Sequence, residues 1–544
     1  MVIDSYSLLP INETNENNES IMTAGPVPTF RATKNGGALY MQVARWIQEN
    51  ISAGVFKPGE RLPTVRALSE HLGVNRGLVS SAYAHLSDSG IVDSHVGRGT
   101  FVAKQSTQAS SGGNEVPIRG TRFWDALLGP SSVLTEPRQE PISEESRRRL
   151  TWVPEREDAR DEASLIALDI PLANYAISRD LVHRTMRKVA DEGAAELFSY
   201  SDPQGLYSLR VKLAELANRK GINASPESLM VTSGAQQAFS LISGLLLDKG
   251  DIVVTEDPTY LGAIRSFRSA GARVIGIPMD SEGIAPDPLE DTLRRNKVKL
   301  IYTIPSFQAP TGTTQSPTRR RQLYQLALKY GVPILEDGYV NDLYYGKAPP
   351  AAIRAIDVDQ IVIYVGTFSK TLSAGIRLGW ISASPKLIAR LVSLKESRDI
   401  QSSALSQLIV SNILENSLYE TLLARLRRHY GQLYQTLMEN IMGKLDVLVP
   451  QQSHTGGFSI WVGIPRDVPA DDWLAYSRAE GVPFDKGSQY FVEHSQRNFA
   501  RLCFSLLSAD DIEKAVNILA QTMQKTRGIH RNRGTNRRNF LPFS

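Results

Sequence analysis

The chain has 544 residues, of which 42% are hydrophobic, so it has room for more than one domain and for a large apolar core. A net charge of +4 is too small to indicate nucleic-acid binding by itself. One cysteine, Cys503, excludes an internal disulfide framework, and no apolar run approaches the roughly 18 residues of a membrane-spanning helix. We therefore expect a cytoplasmic protein without a membrane anchor.

Helical spacing begins a short way into the chain. Residues 1–35 are polar and of low complexity, so we expect them to be disordered. From Ala38 onward, apolar residues recur at helical spacing as far as Gly54, which predicts a first helix. A second helix is predicted after Thr64 and a third after Asn75, because both residues are good N-caps.

The next segment predicts a small β-hairpin. Residues 90–103 alternate between apolar and polar side chains around a glycine-arginine turn. Two short helices joined by a glycine-bearing turn and followed by a hairpin indicate a winged helix-turn-helix. Arg66 and Arg76 lie at helix starts and Arg98 lies at the hairpin tip, where contacts to DNA concentrate. A small helical domain with ordinary surface arginines is the alternative.

The order of these motifs resembles the winged helix-turn-helix of GntR-type regulators. The segments that carry the resemblance are Lys57-Pro-Gly-Glu-Arg-Leu-Pro63, Leu72-Gly-Val-Asn-Arg76 and Gly97-Arg-Gly-Thr-Phe-Val102. The resemblance implies that residues 36–104 dock on operator DNA through the second and third helices and the wing. It assigns the contacts to Arg66, Arg76 and Arg98, with Ser80 as a further candidate.

Composition changes twice in the rest of the chain. Residues 105–165 begin with a Gln/Ser/Gly-rich stretch and predict a flexible linker. Residues 166–525 alternate short apolar strands with amphipathic helices, which is typical of an α/β domain with a mainly parallel sheet. Polar or glycine-rich residues follow several strand ends, where open α/β sheets bind ligands. The predicted strands are 229–232, 252–255, 273–275, 300–303, 333–336 and 361–364.

Lys370 follows the last of these strands, among small and hydroxylated residues. A buried lysine can lose its proton and attack an aldehyde, and the hydroxyls and Arg377 beside it suit a phosphate. Together these features suggest pyridoxal 5'-phosphate (PLP). Because a lone lysine of this kind is more often part of a surface turn, the assignment depends on the other strand ends.

Three other strand ends carry side chains that suit the same cofactor. Residues 233–236 begin a helix after a strand and can bind phosphate through backbone N–H groups. Tyr260 can cover an aromatic ring. Asp337 can keep a pyridine nitrogen protonated, and the Tyr339 phenol can hydrogen-bond a ring hydroxyl. Each of these segments, taken alone, could be a capped turn without a ligand. Four such segments in sequence order, ending with Lys370, are unlikely to be a coincidence.

Together with the flanking motifs, these segments resemble the fold-type I, class I aminotransferases. The matching motifs are Tyr200-Ser-Asp-Pro-Gln-Gly205, Ser233-Gly-Ala-Gln236, Asp257-Pro-Thr-Tyr260, Asp337-Gly-Tyr339, Thr367-Phe-Ser-Lys370 and Arg501-Leu-Cys-Phe-Ser505. The resemblance implies a large α/β domain plus a small domain, with Lys370 as the internal aldimine lysine. Asp337 would bind the pyridine nitrogen, Tyr339 the ring hydroxyl, and Tyr260 would stack on the ring.

The resemblance also implies which residues bind the phosphate and the ligand. The residues around the phosphate would be Gly234, Ala235, Gln236, Thr367 and Arg377. Tyr200 would come from the partner subunit, and Arg501 would hold the carboxylate of the ligand.

A GntR-like domain followed by an aminotransferase-like domain is the architecture of MocR/GabR regulators, and the chain is identified as a member by this resemblance. Membership implies a head-to-tail homodimer that binds operator DNA and senses an amino compound by external aldimine formation. The alternatives are a working aminotransferase with an accessory DNA-binding domain, and a domain in which PLP is only structural.

Three positions depart from the related families. Ala309 replaces an asparagine that hydrogen-bonds the cofactor in the enzymes, and Phe307 stands where many MocR proteins carry histidine. Gly262 stands where the GABA-sensing member has an arginine, which argues against GABA as the effector. The basic tail of residues 526–544 is expected to be disordered, and it either adds non-specific DNA affinity or is simply solvated.

Overall fold

The computed structural model describes residues 39–88, 91–95, 99–103, 166–170, 178–450, 455–493 and 498–538. The chain divides into two compact units, residues 1–135 and 136–544. The predicted N-terminal tail and the predicted linker of residues 105–165 lie outside the described residues, and so does Arg98.

In its described residues, the first unit has three helices and a two-stranded hairpin, as predicted. Thr64 caps the second helix by accepting a hydrogen bond from the Ala67 N–H at 3.3 Å. Asn75 caps the third through its Oδ1, which accepts from the Leu78 N–H at 2.9 Å. The elements are α1 (Leu39–Ser52), α2 (Val65–Leu72), α3 (Arg76–Asp88), β1 (Val92–His95) and β2 (Gly99–Val102).

The hairpin is joined to the segment between α1 and α2. Its two strands are antiparallel, and the Leu62 N–H donates to the Thr100 carbonyl at 2.8 Å. The Val102 N–H donates to the Glu60 carbonyl at the same distance. Residues 60–62 therefore pair with β2 through backbone hydrogen bonds, and this pairing holds the hairpin against the helices, as a wing requires.

The second unit is built on an eight-stranded sheet in the order β3-β10-β9-β8-β7-β4-β5-β6. Neighbours from β5 to β9 are parallel, whereas β10 lies antiparallel between β3 and β9. The predicted mainly parallel sheet is confirmed, and all six predicted strands are present. The strands are β3 (Leu229–Thr232), β4 (Ile252–Asp257), β5 (Arg273–Asp280), β6 (Gly283–Ile284), β7 (Val298–Thr303), β8 (Ile334–Asp337), β9 (Val362–Thr367) and β10 (Gly379–Ser382).

Helices cover both faces of this sheet. Successive buried residues of one strand, such as Leu300 and Ile301 of β7, belong to separate apolar clusters, because side chains of a strand alternate between its faces. The helices up to the last strand of the sheet are α4 (Arg179–Glu192), α5 (Ala194–Leu197), α6 (Tyr207–Arg219), α7 (Ala235–Leu246), α8 (Leu261–Ser269), α9 (Pro286–Arg295) and α10 (Pro317–Tyr330).

A smaller antiparallel sheet follows, in the order β11-β12-β14-β13. Trp473 joins its own helix, Ala470–Ala479, to the last helix, since its indole N–H donates to the Leu519 carbonyl at 3.1 Å. The remaining elements are α11 (Pro385–Asp399), α12 (Ala404–Leu414), α13 (Leu418–Lys444), β11 (Val449–Pro450), β12 (Ser459–Gly463), α14 (Ala470–Ala479), β13 (Asp485–Lys486), β14 (Phe499–Cys503) and α15 (Ala509–Arg538).

The last helix extends further than the sequence pattern predicts. A boundary at residue 525 and a disordered tail were expected, but α15 continues to Arg538. Thr526 is fully buried, and its hydroxyl donates to the Thr522 carbonyl at 2.8 Å. The basic composition of residues 526–538 gives no apolar helical pattern. The prediction of disorder is therefore wrong for these residues. In the described part of the chain, no helix is long and apolar enough to cross a membrane.

The hydroxyl of Tyr83 ties α3 to the start of α2, since it donates to the Pro63 carbonyl at 2.7 Å and its ring is buried. We expect Tyr83→Phe to destabilise this contact by about 1 kcal/mol, because a hydrogen bond is lost and a carbonyl is left poorly satisfied. Amides of α2 and α3 in the full chain should then exchange roughly fivefold faster by hydrogen-exchange mass spectrometry. Tyr40→Phe is the matched control. Equal exchange in both variants would contradict the role of the Tyr83 hydroxyl.

Candidate functional site

The predicted site segments meet at one edge of the large sheet. Strands β4, β7, β8 and β9 run in the same direction, so their carboxyl ends share that edge. Tyr260 follows β4, Asp337 ends β8, and Lys370 follows β9. The fold therefore gathers residues that are far apart in sequence, as open α/β sheets do at ligand sites.

Lys370 is half-buried beside an aromatic side chain. Its Nζ is 5.6 Å from the centre of the Phe458 ring. Burial lowers the pKa of Lys370 to about 8, with the positive charges of Arg501 and Arg377 acting in the same direction and the Cys503 thiol opposing them. Near neutral pH, a much larger fraction of this amine is unprotonated than in an exposed lysine, which is what a nucleophile requires.

Gly234, Ala235 and Arg377 form a cradle whose chemistry suits a phosphate group. The Arg377 guanidinium donates to the Ser233 carbonyl at 3.1 Å, and a Cβ placed on Gly234 would lie only 2.9 Å from Arg377 Nη2. Gly234 also has a φ of 92°, which favours glycine. Because α7 starts at Ala235 without a side-chain cap, its first N–H groups are available to an anion.

Hydroxyl groups complete the loop before Lys370. The Thr367 Oγ1 accepts from the Ser369 N–H at 3.2 Å and lies 3.1 Å from the Ser369 hydroxyl. Ser369, which sequence reasoning did not single out, is buried and belongs to the same turn. The side chain of Gln236 is committed elsewhere, since its amide donates to the Gly262 carbonyl and to the Ser266 hydroxyl on α8. Only its backbone can serve an anion in this arrangement.

Asp337 is a buried carboxyl group without a cationic partner among the described residues. Its oxygens accept from the Tyr302 hydroxyl at 2.8 Å and from the Tyr339 N–H at 3.1 Å. Burial raises the pKa of Asp337 to about 7, although these two hydrogen bonds oppose the shift. A protonated ring nitrogen would supply the missing positive charge, so the environment of Asp337 fits the pyridine ring of PLP.

Two tyrosines border the same space. The Tyr339 hydroxyl donates to the Phe307 carbonyl at 3.0 Å, and burial raises the pKa of Tyr339. Tyr260 is 37% exposed, and a Cβ at Gly262 would lie 2.5 Å from its ring. Glycine at position 262 therefore gives the Tyr260 ring its room.

Arg501 and Tyr200 are placed differently. Arg501 lies on β14 directly opposite Asp485 of β13, and its Nε donates to Asp485 Oδ2 at 3.0 Å. Tyr200 is 85% exposed on the surface, near the exposed Phe198, and does not join the cluster around Lys370 within one chain. Sequence reasoning missed Asp485, since an isolated aspartate before a lysine gives no signal.

In the first unit, the predicted DNA-contacting side chains that lie in the described residues, Arg66, Arg76 and Ser80, are exposed. Arg66 pairs with Glu70 at 3.1 Å, and Arg76 lies 4.0 Å from the same carboxylate. Ser80 is exposed on α3. Glu70 was missed, and it brings the two arginines of α2 and α3 close together.

Comparisons with known proteins agree with this architecture. The model for "Aminotransferase class I and II" matches residues 169–519, and that for "Bacterial regulatory proteins, gntR family" matches residues 39–102. The chain belongs to the aminotransferase class I and II family and carries a gntR-family domain before it. LysN, an α-aminoadipate aminotransferase from Thermus thermophilus, shares 27% identity and a TM-score of 0.67 over 75% of this chain and 99% of LysN.

Relatives that match along most of the chain indicate the class of protein more closely. The regulator YdfD of Bacillus subtilis is 30% identical over 88% of this chain and 94% of its own length. TauR of Rhodobacter capsulatus is 29% identical over 92% of this chain and 99% of its own. MocR of Rhizobium meliloti is 26% identical over 88% of this chain and 93% of its own. The chain is a transcriptional regulator of the MocR type.

The pKa of Asp337 predicts a pH dependence of stability. Between its unfolded pKa of 3.8 and its folded pKa of about 7, the folded state binds the extra proton, so cofactor-free protein loses stability as pH rises. We expect Asp337→Asn to flatten this loss by a few kcal/mol in chemical unfolding at pH 4, 5.5 and 7.

Glu256 provides the comparison, because burial raises its pKa to about 7 as well but its hydrogen bonds link it to Thr303 and Gln308 instead. Glu256→Gln should remove a separate part of the same slope. An unchanged slope in Asp337→Asn would show that its carboxyl ionises normally.

Proposed function

We propose that the second unit binds PLP on Lys370 and that an amino compound which displaces Lys370 is the signal read by the first unit. The observation that carries the proposal is the Lys370 amine, whose pKa is about 8, at the same sheet edge as the cradle of Gly234, Ala235 and Arg377. Asp337, buried without a cation in the described residues, supports the same cofactor.

Each residue has a defined task. PLP, when bound, supplies an aldehyde carbon to which amines add and a ring that withdraws electrons. Lys370 Nζ provides the amine and can take up a proton when it is released. Arg377 and the N–H groups at the start of α7 would bind the phosphate, and Asp337 would keep the ring nitrogen protonated. Tyr260 would contact the ring.

The first unit would turn displacement of Lys370 into a change of DNA binding. Arg66, Arg76, Ser80 and Arg98 are the proposed contacts to operator DNA. Glu70 positions Arg66 and Arg76 by pairing with both guanidinium groups. An effector can shift DNA affinity only if it binds the two conformations of the protein with different affinity.

We also propose a head-to-tail homodimer that completes the site. Phe198, Tyr200 and Tyr207 are 90%, 85% and 60% exposed, which is unusual for aromatic side chains that belong to no interface. A second copy would cover these rings and bring its Tyr200 to the phosphate. Paired first units would then read two half-sites.

An aminotransferase function is the second candidate, because the set of Lys370, Asp337 and Arg377 would serve transamination equally well. Ala309 argues against efficient turnover, since its methyl group cannot make the hydrogen bond that the resemblance assigns to asparagine at this position. The Tyr339 hydroxyl is moreover directed to the Phe307 carbonyl. Turnover at enzyme-like rates that is unchanged by deleting residues 1–104 would favour the enzyme.

A screen of amines with the PLP-loaded full chain tests the proposal. We expect an absorbance band of lysine-bound PLP that shifts on addition of the effector, together with a change in DNA affinity measured by fluorescence anisotropy. Lys370→Ala should abolish the band, while Lys395→Ala, which removes a fully buried lysine, should retain it. If wild-type protein shows no band, or if an effector shifts the band without altering DNA affinity, the proposal fails.

The salt dependence of DNA binding tests the contacts of the first unit. Each phosphate contact contributes about 0.9 to the slope of log K against log salt concentration, so Arg66→Ala and Arg76→Ala should each reduce the slope by about 1 on a random-sequence duplex. Arg45→Ala, which removes an exposed arginine of α1, is the matched control and should leave the slope unchanged. Slopes equal to wild type in both α2 and α3 variants would exclude these arginines as phosphate contacts.

A further inference from the structure

A strained turn ends helix α11. Ile400 has a φ of 60° and a ψ of −66°, and the Gln401 N–H donates to the Asp399 carbonyl at 2.6 Å. These values define a γ-turn with positive φ, which is rare and strained, and a β-branched residue seldom adopts it. Strained conformations persist only where the surrounding contacts enforce them. Contacts on both sides of Ile400 supply this constraint.

On one side, Asp399 is linked to the phosphate cradle of its own chain. The Gln237 amide donates to Asp399 Oδ2, and Gln237 Oε1 accepts from the Ser233 N–H at 2.7 Å. Because a carboxylate can only accept, the amide nitrogen of Gln237 faces Asp399 and its oxygen is left for Ser233. Ser233 directly precedes Gly234, and its carbonyl accepts from Arg377. Two hydrogen bonds therefore join Asp399 to the backbone of the cradle.

On the other side, Gln401 holds the loop that carries Tyr200. Gln401 Oε1 accepts from the Ser201 N–H, and it also accepts from the Ser201 hydroxyl at 3.0 Å. The next residue, Asp202, pairs with the buried Arg210 at 3.0 Å. The two residues after Tyr200 are thus fixed, whereas the Tyr200 ring itself is 85% exposed. A fixed backbone with an exposed ring suits a side chain that is presented to another surface.

Ile400 lies beside the same exposed surface. Its side chain is 50% exposed, and it precedes Gln401, which contacts the residue after Tyr200. A second copy that covers Tyr200, as in the proposed homodimer, would therefore meet Ile400 as well. The strained residue then separates one contact directed to the cofactor site of its own chain from another directed to the site of the partner.

We infer that the turn Asp399-Ile400-Gln401 positions two phosphate sites at once. Through Asp399 and Gln237 it sets the cradle of its own chain, and through Gln401 it sets Tyr200 at the cradle of the partner chain. Asp399 and Gln401 are positioning residues, since each acts through another group. This inference rests on the proposed function, because it requires the homodimer and the role of Tyr200 in the partner's site.

Mixed dimers separate the two sides of the turn. Two differently tagged full-length chains are co-expressed, and the dimer that carries both tags is isolated. Lys370→Ala in one chain leaves lysine-bound PLP only on the other, which is then the reporting chain. Titration with PLP, followed by the absorbance of lysine-bound PLP, measures the affinity of the reporting chain alone.

Gln401→Met removes the acceptor for Ser201 at nearly unchanged side-chain length. In the non-reporting chain it should weaken PLP binding by the reporting chain about fivefold, as the loss of a hydrogen bond implies. In the reporting chain its effect should be clearly smaller. Gln237→Met should show the reverse, with the larger loss when it lies in the reporting chain. Local damage to folding would act in the chain that carries the substitution, so the opposite placement is the decisive readout.

Three further variants complete the experiment. Gln521→Met, which removes an exposed glutamine of α15, is the matched control and should not alter the affinity from either chain. Adding Gln401→Met to Tyr200→Phe in the non-reporting chain should weaken binding no further, because both act through the same hydroxyl. Thermal melting verifies folding, and Ser201→Ala, which removes one donor to Gln401, replaces Gln401→Met if that variant does not fold.

The outcomes distinguish this inference from the proposed function. If the wild-type chain shows no lysine-bound PLP, the proposed function fails. If the tagged chains do not associate, or if Tyr200→Phe in the non-reporting chain has no effect, the proposed dimer fails and the inference fails with it. If Tyr200→Phe acts from the non-reporting chain but Gln401→Met acts equally from both chains, more strongly in the reporting chain, or not at all, only the inference is overturned.

Discussion

The parallel pairing of β4, β7, β8 and β9 is the constraint on which the site depends. Parallel strands that follow one another through helices end at the same sheet edge, so each strand can deliver one functional group to a common region. In this chain the groups delivered are Tyr260, Asp337 and Lys370. None of them is close to another in sequence, and a change of register in β8 or β9 by one residue would turn its side chains to the opposite face.

Three buried carboxyl groups lie near this edge of the sheet, and they differ in their hydrogen-bond partners. Glu256 accepts hydrogen bonds from Thr303 and Gln308, and Glu336 accepts from the backbone N–H groups of Ile353 and Arg354. Both carboxyls are thus satisfied within the protein. Among the described residues, Asp337 accepts two hydrogen bonds, whereas Glu256 accepts bonds from Thr303, Ile304, Gln308 and Gln315. A buried acid with few donors suits a ligand that brings a protonated nitrogen.

Much of the fold and part of the site could be predicted from the sequence because their signals are local. Strand-forming runs, the caps Thr64 and Asn75, and the order of motifs up to Lys370 are all visible in short windows. Predictions that depend on the tertiary contacts of a side chain were less complete. The Gln236 amide turns to α8, and the Tyr339 hydroxyl donates to a backbone carbonyl. The last helix continues through a stretch whose composition is polar, and Thr526 in this stretch is fully buried.

The sequence by itself determined the two-part organisation and the alternation of strands and helices that an α/β sheet needs, because periodicity and cap chemistry act over a few residues. Only the tertiary structure decided which carboxylate faces Arg501. Asp485 and Arg501 are brought together by the register of two antiparallel strands. Leu168 reaches the end of β14 from the start of the domain through a backbone hydrogen bond to Cys503. Pairings of this kind depend on long-range contacts, so no local pattern in the sequence records them.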